Sequence, residues 1–216
     1  MDKKDRGRLF IISGPSGTGK GTICADLLND EKISLSVSMT TRAPRKHEVE
    51  GKSYYFVTKE HFNKVIIEDG LYEHAEIYGE YYGTPKASIL NQMESGIDVM
   101  LEIDVDGAMQ VKESMPEAVL VFIMPPSSEE LIRRIEGRGT ETAERIARRL
   151  ERVDSEIAQV GNYDYCVVND DFREAADDIR EIMRAEKGSF SARAEELKIN
   201  NDSEKIIKRY HEGSSK

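Results

Sequence analysis

Four short apolar runs punctuate the chain: Leu9–Ile12, Val99–Ile103, Val119–Ile123 and Tyr165–Val168. Each is rich in β-branched residues and too short for a helix, so each is expected to be a buried strand. Between and after them the spacing predicts helices over Thr22–Leu28, Ser88–Glu94, Ser127–Ile135, Thr142–Val160 and Arg173–Met183. Strands that are apolar throughout rather than alternating, and that are separated by helices, predict an α/β fold: a parallel sheet covered on both faces. The best-marked helix start is Ser127-Ser128-Glu129-Glu130, an S-x-x-E capping box directly after Pro125-Pro126. In the longest helix Ile146, Leu150, Val153, Ile157 and Val160 recur at spacings of four and three, a single buried stripe.

Two segments break the alternation. The first, residues 34–84, holds six of the nine tyrosines with scattered glycines and strand-like stretches such as Ser53–Val57, and reads as a β-rich insertion. The second carries seven arginines between Arg133 and Arg152, with Gly137-Arg138-Gly139 in the middle, and reads as a mobile lid. The expected division is core over 1–33, insertion over 34–84, core over 85–126, lid over 127–150, core over 151–190 and a C-terminal tail over 191–216. The last stretch, Asn200–Lys216, reads as polar, with a short helix over Glu204–Tyr210.

Composition narrows the chemistry. With 31 Lys and Arg against 41 Asp and Glu the chain carries a formal charge of −10 over 216 residues, which argues against sequence-independent binding to nucleic acid. Any anion site must concentrate positive charge locally. Cys24 and Cys166 are far apart and lack ligand-spaced partners, so neither a zinc site nor a disulfide is implied. No signal-peptide core or membrane-spanning stretch is apparent, and a reducing cytoplasm is the expected compartment.

The strongest local signal follows the first strand. Gly14-Pro15-Ser16-Gly17-Thr18-Gly19-Lys20 lies between a predicted strand and a predicted helix, the setting of a Walker A loop. Its glycines let successive N–H groups turn inward around phosphate, the helix adds its N-terminal dipole, and Lys20 neutralises the outer phosphates. An ordinary glycine-rich turn would not account for the lysine. The spacing of Gly17, Gly19 and Gly21 also differs from the dinucleotide fingerprint. The position after Lys20, normally a Ser or Thr that contacts magnesium, is Gly21, with Thr22 next. Either Thr22 substitutes, or phosphates and waters hold the metal.

In the insertion, Arg42 and Arg45 stand three apart in a loop stiffened by Pro44, a pair able to grip a dianionic phosphate through forked hydrogen bonds. Glu73, Tyr81, Tyr82 and Thr84 add a carboxylate, phenols and a hydroxyl. That set suits guanine, which offers two adjacent N–H donors and a carbonyl acceptor.

On these residues the chain resembles the guanylate kinase family. The pattern T-[ST]-R-x2-[KR]-x2-[DE]-x2-[GA]-x2-Y-x-[FY] is met at every fixed position from Thr40 to Phe56. The likeness extends from about Arg8 to about Met183 through the Walker loop, Leu101–Gly107, Pro125–Ser127, Glu136–Thr142 and Val168–Asp171. It implies a P-loop nucleoside monophosphate kinase fold with a GMP-binding insertion and a helical lid, transferring phosphate from ATP to GMP or dGMP with Mg²⁺. It further implies that Gly14 to Thr22 and Asn169 bind ATP, and that Arg42, Arg45, Tyr54 and Tyr82 hold the GMP phosphate, with Glu48 bracing the loop. Ser38, Glu73, Thr84 and Asp104 would read guanine, and Glu102 falls within the same GMP set. Lys20, Arg42, Arg134, Arg138 and Arg149 would surround the phosphoryl group in flight. Glu102 stands where the family often has Asp, and Thr84 where it often has Ser.

Plainer roles fit other residues. Arg145, Arg148 and Arg152 suit a solvated helix face with acidic partners, Tyr55, Tyr72 and Tyr81 suit strand packing, and Asp170 or Asp171 suits a helix N-cap. The four histidines show no pairing. Two other readings remain: a different P-loop nucleotide kinase such as an adenylate kinase, or a non-catalytic module of guanylate-kinase shape that binds phosphorylated proteins.

Overall fold

The computed structural model describes residues 6–137, 151–200 and 202–213. A five-stranded sheet forms the centre, with β1 (Leu9–Ser13), β2 (Ile33–Leu35), β7 (Asp98–Glu102), β8 (Val119–Met124) and β9 (Tyr165–Val168) in the order β2-β7-β1-β8-β9. Every pairing in it is parallel. The four apolar runs coincide with β1, β7, β8 and β9, and all six residues of β8 are buried.

One face of the sheet packs against α1 (Lys20–Leu27) and α7 (Phe172–Glu186). The other packs against α3 (Lys86–Glu94), α4 (Val105–Ser114), α5 (Ser128–Glu136) and the helical segment 151–157, which we call α6. From the expected stripe on the long helix, Val153, Ile157 and Val160 are buried, and the chain tightens into a 3-10 turn at Ala158–Asn162. Residues 138–150, which include Arg138, Arg145, Arg148 and Arg149, lie outside the described residues.

A second sheet, in the order β4-β3-β6-β5, is built from β3 (Met39–Thr40), β4 (Tyr55–Phe56), β5 (Leu71–Ile77) and β6 (Glu80–Pro85). It has its own small core of Met39, Phe62 and Leu71, on which Tyr55 and Tyr81 pack. The sequence pattern missed α2 (Lys59–Ile67) in this region, because that helix buries only Phe62 and shows little stripe. Its start is set by Thr58, whose hydroxyl accepts from the His61 N–H. Also missed were β2, three residues long, and α4, whose residues read as part of a motif.

The C-terminal stretch differs most from its sequence reading. Residues 191–200 and 202–213 carry α8 (Ala192–Leu197) and α9 (Ser203–Glu212), the second containing the short helix expected over Glu204–Tyr210, and what the polar reading missed is the docking: Tyr210, with 3% of its surface exposed, joins the main core with Ile206 and Ile207 packed beside it. Polar residues dominate this stretch by count, yet a single stripe suffices to dock it. No helix among the described residues is long and apolar enough to cross a membrane.

Removing a buried aromatic ring costs about 3–5 kcal/mol, so Tyr210→Ala should lower unfolding free energy by about 3 kcal/mol in urea titrations. Tyr78, 96% exposed at the β5–β6 turn, is the control. Tyr78→Ala should change stability by no more than about 0.5 kcal/mol.

Candidate active site

β1 ends at Ser13, and the chain turns at once into the loop 14–19. Gly14 takes φ 138°, and a Cβ there would fall 2.4 Å from the Ile123 carbonyl oxygen of β8, so no other residue fits. Gly19 takes φ 85° and is the N-cap of α1, where no side chain caps the first turn. The leading N–H groups of α1 are thus left for an anion, as phosphate binding at a helix N-terminus requires. Lys20 donates from Nζ to the carbonyl oxygens of Gly14 (2.6 Å) and Pro15 (3.0 Å), curling back over the loop. Burial pulls its pKa down, while Glu102 foremost, with Glu156 and Asp104, pulls it up. Thr18 is fully buried and donates to the Pro15 carbonyl at 3.0 Å; Ser16 is half-buried, and Gly21 and Thr22 are exposed.

Asn169 follows β9 and is 4% exposed. Its Nδ2 donates to the Thr18 carbonyl at 2.6 Å, and its own carbonyl accepts from Arg134 Nη1 at 2.9 Å. Arg134 in turn donates from Nε to Glu130 at 2.7 Å. A hydrogen-bonded chain therefore runs from α5 through Asn169 into the phosphate loop.

The second sheet presents a cationic pocket. Arg42 donates to both carboxylate oxygens of Glu48 at 2.8 Å and from Nε to the Tyr82 hydroxyl at 3.2 Å. Its guanidinium carbon lies 5.3 Å from the centre of the Tyr54 ring. The two bonds from Arg42, with a third from the Arg45 backbone N–H, hold the Glu48 carboxyl down at about 2, so the pair is charged throughout the physiological range. Arg45 itself is exposed.

Beyond it, Thr84 is fully buried and donates to Glu73 Oε1 at 2.6 Å. Burial pushes the Glu73 carboxyl above the usual carboxylate range, the Thr84 bond draws it partly back, and Asp104 raises it. Asp104 caps α4 by accepting from the Gly107 N–H at 2.8 Å. A Cβ on Gly107 would lie 3.3 Å from Asp104 Oδ1 and 3.5 Å from Glu73 Oε2, so this glycine sits where the two carboxylates converge. Ser38 is half-buried just before β3.

Glu102 does not share those contacts. It ends β7, opposite Ile12 of β1, and its carboxylate oxygens lie 3.4 and 3.6 Å from where a Cβ on Gly21 would stand. Two further groups escaped the sequence reading. Glu156 on α6, its side chain 15% exposed, lies in the field of Lys20 and Arg152, and burial raises its pKa. Tyr163 donates to Ser13 Oγ at 3.0 Å beneath the loop. Neither is flagged by a motif. Arg152 meets Asp106 at 3.2 Å and Glu156 at 3.8 Å, the acidic pairing expected of it. Asp171 caps α7.

A parallel sheet that ends in this loop, with a smaller sheet holding a caged arginine beside it, defines a P-loop nucleoside monophosphate kinase fold. Residues 6–186 match the guanylate kinase family model. The chain is 52% identical over 187 residues to the guanylate kinase of Clostridium acetobutylicum, covering 87% of this chain and 88% of that one. It is 46% identical over 194 residues to that of Thermus thermophilus, covering 90% and 88%. The crystal structure of guanylate kinase from Anaplasma phagocytophilum superposes with a TM-score of 0.66 at 39% identity, covering 86% of this chain and 88% of that one. The chain belongs to the guanylate kinase family.

Asn169→Asp keeps the shape but replaces the donor facing the Thr18 carbonyl with an acceptor. Leaving a buried group unpaired costs about 1–3 kcal/mol, and urea unfolding should show a loss of that size. An unchanged midpoint would mean the Asn169–Thr18 bond holds nothing.

Proposed function

We propose that the chain transfers the terminal phosphate of ATP to GMP, giving ADP and GDP, and accepts dGMP as well. The observation that supports this best is the Glu73–Thr84 pair at 2.6 Å beside Asp104. A desolvated carboxylate with one oxygen already bonded to a hydroxyl suits the adjacent N–H donors of guanine. Adenine would set the N1 acceptor against the same carboxylate and leave the charge unpaired.

In this reading Gly14 to Thr22 cradle the ATP phosphates, with Asn169 fixing the loop from behind. Arg42, Arg45, Tyr54 and Tyr82 bind the GMP phosphate, Glu48 keeps Arg42 aimed, and Ser38, Glu73, Thr84 and Asp104 read the base. Lys20, Arg42 and Arg134 neutralise the phosphoryl group as it passes. The same role is proposed for Arg138 and Arg149 from the family motif alone. A GMP phosphate oxygen attacks the γ-phosphorus while the bond to the ADP oxygen breaks. An acceptor already ionised needs no general base, so positioning and charge stabilisation supply the catalysis. Water would compete as acceptor, so the insertion and the lid must close over both nucleotides. Mg²⁺ supplies charge neutralisation across the transferring phosphates, and the hard carboxylate oxygens of Glu102, at the loop, fit such an ion. Reaction in a reducing cytoplasm, without a membrane or nucleic-acid partner, completes the proposal.

A coupled ADP-release assay across AMP, GMP, CMP and UMP tests it. GMP should exceed AMP in kcat/KM by about thirtyfold or more, because leaving such a charge unpaired costs about 2–5 kcal/mol. Comparable turnover of AMP would return the chain to the adenylate kinase reading. Glu73→Gln should lower GMP use and narrow the ratio, since an amide both donates and accepts.

Acid supplies a separate check on Glu73. Its pKa is raised, so on lowering the pH from neutral it protonates sooner than an ordinary carboxylate, and GMP affinity should fall accordingly. The phosphate of GMP also titrates, near pH 6, but equally for parent and variant. The ratio of GMP Kd values, Glu73→Gln over parent, should therefore shrink toward one as the pH falls; a constant ratio would mean that Glu73 does not contact the base.

A further inference from the structure

Glu73 and Asp104 converge from different sheets: Glu73 lies on β5 of the smaller one, and Asp104 follows β7 of the larger one as the N-cap of α4. For both to read one base, β5 has to be held against α4. Binding groups typically need to be fixed within about 0.5 Å of their productive positions.

The strand is irregular at just this point. Between Leu71, opposite Pro85, and His74, opposite Gly83, β5 advances three residues while β6 advances two. The extra residue makes a bulge, which re-aims side chains, and Glu73 lies inside it. Leu71 and Tyr72 are consecutive yet both buried, the first in the small core and the second in the main one. Gly83 makes room for the bulge, since a Cβ there would fall 2.9 Å from the Glu73 carbonyl oxygen.

β5 is also an edge strand of its sheet, so its outward backbone groups need partners from elsewhere. α4 supplies them on both sides of Glu73. Gln110 Oε1 accepts from the His74 N–H at 3.2 Å, and Ser114 Oγ lies 3.1 Å from the Tyr72 carbonyl oxygen and 2.8 Å from that of Gln110. Gly107, Gln110 and Ser114 follow one another at spacings of three and four and so share one face of the helix. Gly107 is the residue beside which the Glu73 and Asp104 carboxylates meet.

We propose that Gln110 is a positioning residue for base recognition: by holding the His74 N–H it fixes the bulge of β5 against α4, and so aims the Glu73 carboxylate at the base edge that Asp104 also faces. The inference rests on the kinase reading. Ser114 steadies the other side of the bulge.

A thermodynamic cycle on GMP affinity tests this. Calorimetric Kd values for GMP are measured for the parent, Gln110→Met, Glu73→Gln and the double variant, with the Kd for ATP and the urea midpoint alongside. Methionine keeps the length of the side chain and removes the acceptor. A neutral hydrogen bond is worth roughly a three- to tenfold factor in an equilibrium constant, and Gln110→Met should weaken GMP binding by that factor. ATP affinity and the urea midpoint should stay as in the parent, because the seam borders an open cleft where water can take the His74 N–H.

Glu73→Gln removes what Gln110 is proposed to aim. Thr84 donates to one oxygen of residue 73, so an amide there would turn its NH₂ toward the N–H donors of guanine. In that background Gln110→Met should change the GMP Kd little, the non-additivity expected of coupled groups. Equal losses in both backgrounds would show that Gln110 does not act through Glu73 and overturn the proposal. So would an unchanged GMP Kd in Gln110→Met, or a matching loss of ATP affinity or of stability. Glu73→Gln binding GMP as the parent does would remove Glu73 from the base site, and this proposal with it. A parent that binds ATP but not GMP overturns the kinase reading itself, whereas a parent that binds GMP alike with and without Gln110 overturns only the positioning role.

Discussion

The governing constraint is electrostatic: two polyanionic nucleotides have to be brought together by a chain whose own formal charge is −10. The structure meets it by pairing cations with carboxylates at short range rather than by an excess of base. Arg42 is held by Glu48, Arg134 by Glu130, and Lys20 lies in the field of Glu102 and Glu156. Each pair keeps its cation oriented before a ligand arrives, so little side-chain entropy remains to be lost on binding. It also sets a threshold: a phosphate must compete with the resident carboxylate or share the cation's remaining N–H donors. Arg42 retains such a donor, since its bonds to Glu48, Tyr82 and the Ala43 carbonyl use four of the five.

The two sheets divide this work. The parallel sheet delivers its groups at strand ends, Ser13, Glu102 and Val168 leading into Gly14, the loop before α4 and Asn169. Their positions are fixed by a core in which Phe10, Ile12, Val121 and Ile123 are wholly buried. The smaller sheet rests on only three fully packed residues, Met39, Phe62 and Leu71. A thin core of that kind holds its own geometry yet costs little to displace as a unit, which suits the closure proposed above.

Legibility in the sequence followed the same division. The strands of the large sheet were readable because burial on both faces forces uninterrupted apolar runs. The phosphate loop was readable because positive φ at Gly14, Gly17 and Gly19 demands glycine. α2 and α4 were not, since α2 buries one side chain and α4 starts with a capping Asp104 and includes Gly107, features that read as loop. Glu73 and Thr84 were readable as a carboxylate and a hydroxyl suited to guanine, Asp104 was named from resemblance alone, and the structure brings the three together. The Asn169–Thr18 bond spans 151 residues and the Glu156 approach to Lys20 joins two distant elements. No local pattern encodes either, because each exists only after the sheet has assembled.

The strand order also has a temporal side. β1 is made early, yet its registered neighbours begin at Val99 and Val119, about ninety and about a hundred and ten residues later. At ribosomal speeds of about 5–20 residues per second, the most apolar segment near the amino end waits on the order of ten seconds for its first partner. During that interval the insertion emerges, with local antiparallel pairing between β5 and β6 available to it at once. The centre of the molecule is thus made well before it can be enclosed, leaving the nascent chain with an exposed strand that must be sheltered until β7 arrives.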